Sequence, residues 1–383
     1  MKNITIVCHD HKKSGANMSL LNWLKDVDKE KYNITVVVPR YNQEFFLDLK
    51  KVGVYKIINA HYIVRFKKLY KRCLSEKIKD TLKMIMSILN PINLFILTKK
   101  IKKTGVDIIH TNSFSVTYGY LISKKLKVPH VWHIREFMEE DHQITHLNNK
   151  KIAEYTKNSY AIYISDVIKN KFEFRYQFKG SYLIYNKIEY DNMYKKEKEF
   201  YSDNKCSIII VGTLSKNKGH MDAIKLIEMN NNIGKYKMTL YIVGDGPYKK
   251  ELIGYVKRKK IKNIDFLGHR NDVINLRKKM DIALMCSRNE ALGRVTVEAQ
   301  YYENLVIGAN CGCTPYIIKN NKTGYLYEIN NIDELYKIVE KAIVNKKETK
   351  KIIENAKKIS LQKFNCDISK KILDIYKAVL ESE

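Results

Sequence analysis

The chain runs to 383 residues, which at roughly 150 per domain is length for two domains, each able to bury its own core. Hydrophobic residues at 45% and aromatics at 11% exclude a disordered chain, and 5 prolines with 16 glycines exclude collagenous or linker-like material. The 70 lysines and arginines against 41 acidic residues leave +29, a charge that favours anionic partners: nucleic acid, anionic lipid or phosphorylated substrates.

The segment from Met1 to Cys8 carries no signal-peptide pattern and reads as a first strand over 3–8. Further strands are predicted at 33–38, 54–58, 107–111, 129–134, 159–164 and 181–185, with helices at 17–26, 115–127 and 166–174. Such short, β-branched apolar runs suit strands buried on both faces of a parallel sheet. Between the third and fourth strands, residues 61–103 hold 12 basic side chains against only Glu76 and Asp80. There Leu82, Ile85, Met86 and Leu89 share a helical stripe before Pro91 interrupts. No apolar run reaches the ~18 residues of a membrane span.

Residues 189–205 are polar, charged and aperiodic, and read as a linker. A second series then begins. Its strands are predicted at 207–212, 238–243, 264–267, 281–285, 305–308 and 325–327, and its helices near 219–230, 247–260, 294–303 and 331–345. The alternation predicts an α/β architecture of two Rossmann-like, doubly wound parallel sheets, residues 1–188 and 206–366, facing a central cleft. Helix-spaced Tyr and Leu over 367–383 form a last packing helix. Seven cysteines without paired spacing imply reduced thiols in the cytosol. The one close pair, Cys311-Gly312-Cys313, reads as structural.

The most informative stretch runs from Met285 to Ala299. A strand ends near Met285, a loop carries Glu290, and a helix starts near Gly293, with Glu298 ~7.5 Å along its axis. Helix-start N–H groups between the two carboxylates make an anion site. That layout suits a nucleotide sugar: one Glu for sugar hydroxyls, amides for diphosphate, the other Glu for ribose. Upstream, Gly212-Thr213 opens a turn that leads to Lys218-Gly219 at a helix start, where a compact cation can neutralise diphosphate. Gly244 and Gly268 follow the next two strands.

In this order and register the segments resemble the retaining glycosyltransferases of family 4, which have the GT-B fold. The resemblance covers the second domain through Asn321-Lys322-Thr323-Gly324. It reaches the first domain at Ser14-Gly15-Ala16-Asn17, His110-Thr111-Asn112-Ser113, Trp132-His133-Ile134-Arg135-Glu136, Ser165-Asp166 and Asn186-Lys187. It implies catalytic roles for His133 at the reacting face of the donor sugar, Glu290 on the sugar hydroxyls and Lys218 on the leaving diphosphate. The donor site would be completed by Gly15, Gly212, Thr213, Gly244, Ala291, Leu292, Gly293, Arg294 and Glu298. Ser14, Asn17, Asn112 and Arg135 would lie on the acceptor side. One departure stands out: many relatives carry an Arg at the position of Thr213, a role that Lys216 or Arg294 would have to fill.

The implied activity is transfer of a sugar from a nucleotide sugar, UDP-linked by preference, with retention at the anomeric carbon and no cofactor or metal. The one Asp-x-Asp, Asp26-Val27-Asp28, follows a helix rather than a strand. The closest resemblance is to bacterial enzymes of capsule, O-antigen and exopolysaccharide synthesis, whose acceptors are lipid-linked oligosaccharides. That implies a cytoplasmic protein, peripheral on the inner face of the cytoplasmic membrane, with residues 61–103 toward anionic lipid. The final helix would cross back onto the first domain. The alternatives are an inactive GT-B partner of another transferase, or a nucleotide-sugar epimerase or glycan phosphorylase on the same fold. Nucleic acid is excluded by the absence of zinc-finger, RRM-type or basic recognition-helix patterns. Trp132 reads as core, and His142, His146 and Asp141 as loop residues rather than a metal site. His110 is open between packing and ligand contact.

Overall fold

Runs of Ile and Val, too short for helices and apolar on both faces, build two parallel sheets in this computed structural model, which describes residues 1–70, 73–187, 194, 196, 199–201 and 205–383. Contacts divide the chain into two units, Met1–Lys187 with Asp367–Glu383, and Ile188–Cys366. Most of the segment 189–205, expected as a linker, lies outside the described residues.

The first unit contains β1 (Lys2–Val7), β2 (Tyr32–Val38), β3 (Lys56–Asn59), β4 (Phe66–Lys68), β5 (Ile108–Thr111), β6 (His130–Ile134), β7 (Ile144–His146), β8 (Tyr160–Tyr163) and β9 (Gly180–Leu183). Seven of them form one sheet in the order β3-β2-β1-β5-β6-β8-β9, while β4 and β7 pair as a small antiparallel ribbon. The register sets Ile6 beside Val36 and His110, so the centre of the sheet is enclosed. Val7, Val37 and Ile109 pack under Ile101 and Ile122 from the flanking helices.

The final helix, Ile368–Glu381, belongs to this unit. Asp367 caps it by accepting from the Lys370 N–H, and Ile372 and Val379 are fully buried. Its polar ties are equally specific. Ser369 Oγ donates to the Trp23 carbonyl at 2.6 Å, and the Tyr376 hydroxyl meets His110 Nδ1 at 2.7 Å.

The second unit contains β10 (Lys205–Val211), β11 (Lys237–Val243), β12 (Ile264–Gly268), β13 (Ile282–Met285), β14 (Leu305–Ala309) and β15 (Tyr325–Tyr327), ordered β12-β11-β10-β13-β14-β15. Ile208, Leu240 and Leu284 face one apolar layer, and Ile209, Val243 and Ala283 the other. In each sheet the strand order reverses once, between β1 and β5 and between β10 and β13. A reversal sends the flanking loops apart and leaves a crevice at the strands' carboxyl ends.

One expectation is corrected. Pro91 does not end the apolar segment that precedes β5. It occupies the first turn of the helix Asn90–Lys102, where its missing N–H has no partner to lose. A short 3-10 turn at Ser87–Leu89 joins that helix to Leu74–Met86. The resulting 29-residue run, Leu74–Lys102, is long and apolar enough to cross a membrane by length and composition. Its stripe does not pack on the sheet either: Leu82, Ile85, Met86 and Leu89 are all more than half exposed.

The buried hydrogen bond of the last helix gives a first prediction. Tyr376→Phe leaves His110 Nδ1 without its partner and should destabilise the protein by about 1–3 kcal/mol. The check is the denaturant midpoint, which should fall with the slope unchanged.

Candidate functional site

In the second unit, the chain leaves β10 through Gly212 and makes a 3-10 turn, Lys216–Lys218, ahead of the helix His220–Ile233. Gly219, at φ +66°, joins the two. A Cβ there would fall 1.9 Å from the carbonyl oxygen of Cys286, just beyond β13, so only glycine permits this approach. The loops are then stitched together, Arg288 N–H donating to the Asn217 carbonyl at 2.8 Å. Lys218 and Glu290 meet as a result, Nζ to Oε2 at 2.7 Å, with Glu290 the more enclosed.

The Glu290 loop is braced from behind by Cys311-Gly312-Cys313. The Cys313 N–H donates to the Glu290 carbonyl at 2.9 Å, and the Cys311 thiol to the Ser287 carbonyl at 3.2 Å. This gives the cysteine pair its structural role. After the loop, Gly293 at φ +71° opens the helix Arg294–Tyr301. The Thr296 and Val297 N–H groups donate to the Gly293 carbonyl, while the N–H groups ahead of them precede the helix's first acceptor. Glu298, one turn in, accepts from Arg294 Nε at 2.7 Å and has Arg277 Nη2 at 3.8 Å.

Arg277 was not singled out by the sequence, where it reads as one of three successive cations on a helix. It is 1% exposed, and its Nη2 also donates to the Val295 carbonyl. Burial lowers its pKa, and Glu298 works in the opposite direction. Of the cations considered as replacements at Thr213, Lys216 sits 3.8 Å from Glu251, and Arg294 is engaged by Glu298. Thr213 itself is exposed. The Gly212 N–H donates to the Val243 carbonyl, and the Gly244 N–H to Gly268, so the turns after β10, β11 and β12 stand in a row. His220, at the helix start beside Lys218, is pushed down to about 4 by burial and then by that lysine.

In the first unit the residues expected on the acceptor side converge with His133. Asn17 Nδ2 donates to Asp10 Oδ1 at 2.6 Å, and Ser14 Oγ to the same oxygen at 3.3 Å. Asn112 Nδ2 donates to the Ala16 carbonyl, while its Oδ1 accepts from Arg135 Nε at 3.0 Å. Asn17 and Asn112 are fully buried, spending their amides on tying the loops after β1 and β5 together. Gly15 opens the helix Gly15–Leu24, and a Cβ there would meet nothing within 4 Å. His133 is enclosed at the end of β6, with Arg135 Nη2 at 3.0 Å from its Nδ1.

His9 and Asp10 were also missed by sequence reasoning. Their side chains pair at 3.2 Å just after β1. Burial disfavours the charged His9, but the Asp10 hydrogen bond and charge, with Glu136, outweigh it and raise the pKa. A His-Asp dipeptide after the first strand was the available signal. His110 is a buried residue held by Tyr376. Trp132 is core, its Nε1 donating to the Val116 carbonyl. His146 Nε2 meets the Phe114 carbonyl, whereas the side chain of His142 lies outside what is described. Asp26 and Asp28 are exposed and paired with Lys187 and Lys31. Among the described residues, no three His, Cys, Asp or Glu side chains are grouped to hold a metal.

Comparisons with known proteins follow the same division. Residues 193–359 match the family described as Glycosyl transferases group 1. The chain is 26% identical over 269 residues to the uncharacterized glycosyltransferase MJ1178 of Methanocaldococcus jannaschii, covering 68% of this chain and 72% of that protein. It is 29% identical over 175 residues, 45% of this chain and 46% of the relative, to the GalNAc-alpha-(1->4)-GalNAc-alpha-(1->3)-diNAcBac-PP-undecaprenol alpha-1,4-N-acetyl-D-galactosaminyltransferase of Campylobacter jejuni. Among solved structures, Anabaena Alr3699/HepE in complex with UDP-glucose aligns over 100% of both chains, with a TM-score of 0.75 at 18% identity. That likeness establishes the GT-B fold.

The Gly219 contact supplies a second prediction. Gly219→Ala adds a clash to a left-handed backbone and should cost about 2 kcal/mol or more. It should also pull Lys218 from Glu290. Chemical denaturation checks the first effect, and a crystal structure of the variant checks the second.

Proposed function

The chain belongs to the group 1 glycosyl transferases, family 4, and we propose that it transfers a sugar from a UDP-sugar to a lipid-linked glycan in surface polysaccharide synthesis, with retention at the anomeric carbon. The observation that carries this reading is the sequence of groups along one crevice: Lys218 against Glu290, a helix start, then Glu298 backed by Arg277. The UDP-glucose bound by the Anabaena protein and the undecaprenol-linked substrate of the Campylobacter relative support the choice of donor and acceptor.

In this reading the Lys218–Glu290 pair opens as the donor enters. Lys218 turns to the diphosphate, and Glu290 accepts hydroxyls of the sugar. The amides of Ala291, Leu292, Gly293 and Arg294 cradle the diphosphate, and Glu298 accepts the ribose hydroxyls. Gly212, Thr213 and Gly244 line the nucleotide, and Gly15 gives the first loop its close approach. As the anomeric C–O bond breaks, positive charge grows on the ring and negative charge on the diphosphate. The helix amides stabilise the second from fixed positions, joined by Lys218 once it has turned, without a metal. His133 acts on the donor sugar, and Ser14, Asn17, Asn112 and Arg135 shape the acceptor side.

Glu290→Ala should therefore lower kcat about 100-fold, since its contact is to the reacting sugar. Glu298→Ala should raise the donor KM roughly tenfold with little change in kcat, because ribose is held alike before and during transfer. Steady-state kinetics with UDP-sugars separate the two, and wild-type constants in both variants would overturn the assignment. Thr213, with no cation in its place, favours one rival: a non-catalytic partner subunit. UDP-sugar hydrolysis without acceptor discriminates, since such a partner would show none.

We also propose peripheral attachment to the inner face of the cytoplasmic membrane through Leu74–Lys102. Within this run only Leu97 and Ile101 are buried, and Ile85, Ile88, Ile92 and Phe95 are all exposed beside Lys79, Lys83, Lys99 and Lys100. Lysines along the first half suit a helix lying in the interface, each worth about 1 kcal/mol near anionic lipid. Of the basic residues in 61–103, Lys68 faces Glu76 and Asp80, whereas Lys79 and Lys83 are exposed on the run itself and serve as probes. Sedimentation with vesicles should require anionic lipid, weaken with salt, and drop for Lys79→Ser with Lys83→Ser. Equal binding to neutral vesicles would exclude this electrostatic attachment and leave the transferase reading standing.

A further inference from the structure

The fold treats the two ring nitrogens of His133 differently. Nδ1 lies 3.0 Å from Nη2 of Arg135, while Nε2 is enclosed with no hydrogen-bond partner among the described residues. A guanidinium has donors only and keeps its charge, so Nδ1 must be the acceptor. The ring's one proton then sits on Nε2. Nor can Arg135 easily turn away. Its Nε donates to Asn112 Oδ1 at 3.0 Å, and its Nη1 to Ser19 Oγ at 2.9 Å and Asn186 Oδ1 at 3.0 Å. Those acceptors come from three separate segments: the loop after β5, the helix after β1 and the chain beyond β9. Rotating the guanidinium would break all three bonds.

We propose that Arg135 is a positioning residue that fixes His133 as a neutral imidazole protonated at Nε2, able to donate a hydrogen bond during transfer but not to act as a base. The tautomer stands on geometry alone, and its use in transfer rests on the glycosyltransferase reading.

The surroundings agree. His110 from β5 presents its ring 5.3 Å from that of His133, and its own Nδ1 is taken by Tyr376 of the last helix. Glu136 follows Arg135 in the chain and accepts from Ser113 Oγ, and Cys8 lies at the end of β1. Burial, then the Arg135 charge, then His110, hold the His133 pKa well below its ordinary value. Burial chiefly does the same to His110, and it raises the Tyr376 hydroxyl and the Cys8 thiol, keeping both neutral. Protonating Nδ1 would set two cationic donors face to face, so an imidazolium requires Arg135 to leave.

Long-range proton–nitrogen correlation spectra of the full chain, labelled with nitrogen-15 at histidine, test this directly. His133→Gln assigns the resonance. The wild type should show the Nε2–H pattern without titration between about pH 5.5 and 8. Arg135→Met removes the donor, and the ring should then gain the Nδ1–H form or begin to titrate; Arg135→Lys, which retains a donor, should keep the original pattern. If Arg135→Met does not fold, the wild-type and lysine spectra still decide. A wild-type His133 found protonated at Nδ1, or titrating in that range, overturns the proposal. A kinetic arm tests the donor role. His133→Gln, whose amide also donates, should recover at least about tenfold of the activity that His133→Ala loses. Equal loss in both would refute the donor role without touching the transferase assignment, which the Glu290 and Glu298 variants judge.

Discussion

The reversal of strand order in each parallel sheet is the constraint on which the residue clusters of both units depend. Neighbouring loops that leave in opposite directions cannot cover the strand ends between them. In the second unit, β10 and β13 flank the reversal, and the loops after them must still approach closely enough for Lys218 to meet Glu290. Gly219 allows this by laying its backbone against the Cys286 carbonyl. The Cys311-Gly312-Cys313 turn then fixes the far side of the Glu290 loop. In the first unit, the equivalent opening between β1 and β5 is filled by the Asp10, Asn17, Asn112 and Arg135 network. The same topology thus yields one charged crevice and one hydrogen-bonded lattice.

Arg277 shows how a buried charge can serve a partly exposed one. Its guanidinium is almost wholly out of water, with Nε and Nη1 lacking hydrogen-bond partners among the described residues. Such a group is costly unless a counter-charge stands near, and Glu298 supplies it. The reverse dependence matters more for function. Held between Arg294 and Arg277, the Glu298 carboxylate has little freedom left to lose when it accepts a ligand hydroxyl. Removing Glu298 would therefore do two things at once: delete an acceptor and strand a buried cation. Substituting Gln instead keeps the acceptor oxygen and separates these effects.

The order of strands and the placement of Glu290, Glu298 and Lys218 were legible because β-branched runs and Gly turns are local signals. The helix start near Gly293 was equally plain, since a glycine there marks the turn into the helix, and its backbone does adopt φ +71°. What escaped were features that depend on distant partners. Arg277 resembles any surface cation until the fold brings it under Glu298. His9 and Asp10 become a pair only when the loop after β1 is tied by Asn17. The misreading of Pro91 has a different cause. Proline breaks a helix in its interior but is accommodated in a first turn, and the sequence does not say which case applies unless the preceding 3-10 turn is foreseen. The same oversight hid the length of the apolar run, Leu74–Lys102.

The clusters of the two units also differ in how they hold charge. Around His133 the protein keeps its titratable groups neutral: two imidazoles lowered by burial, a hydroxyl and a thiol raised by it. Arg135 is the buried cation there, saturated by neutral acceptors rather than a carboxylate. Such a lattice resists change in protonation and suits a group that must present a fixed dipole. The crevice of the second unit instead stores charge as ion pairs that can exchange partners. Lys218 and Glu290 each satisfy the other while the site is empty, so neither pays the full cost of desolvation unaided. On the proposed donor reading, a diphosphate and a hydroxylated sugar arriving together would give each partner a replacement of the right polarity. A ligand carrying only one of those groups would leave the other member of the pair unmatched. On that reading the pairing would favour the intact nucleotide sugar over its separate parts, a selectivity that would arise from the closed ion pair rather than from any single contact.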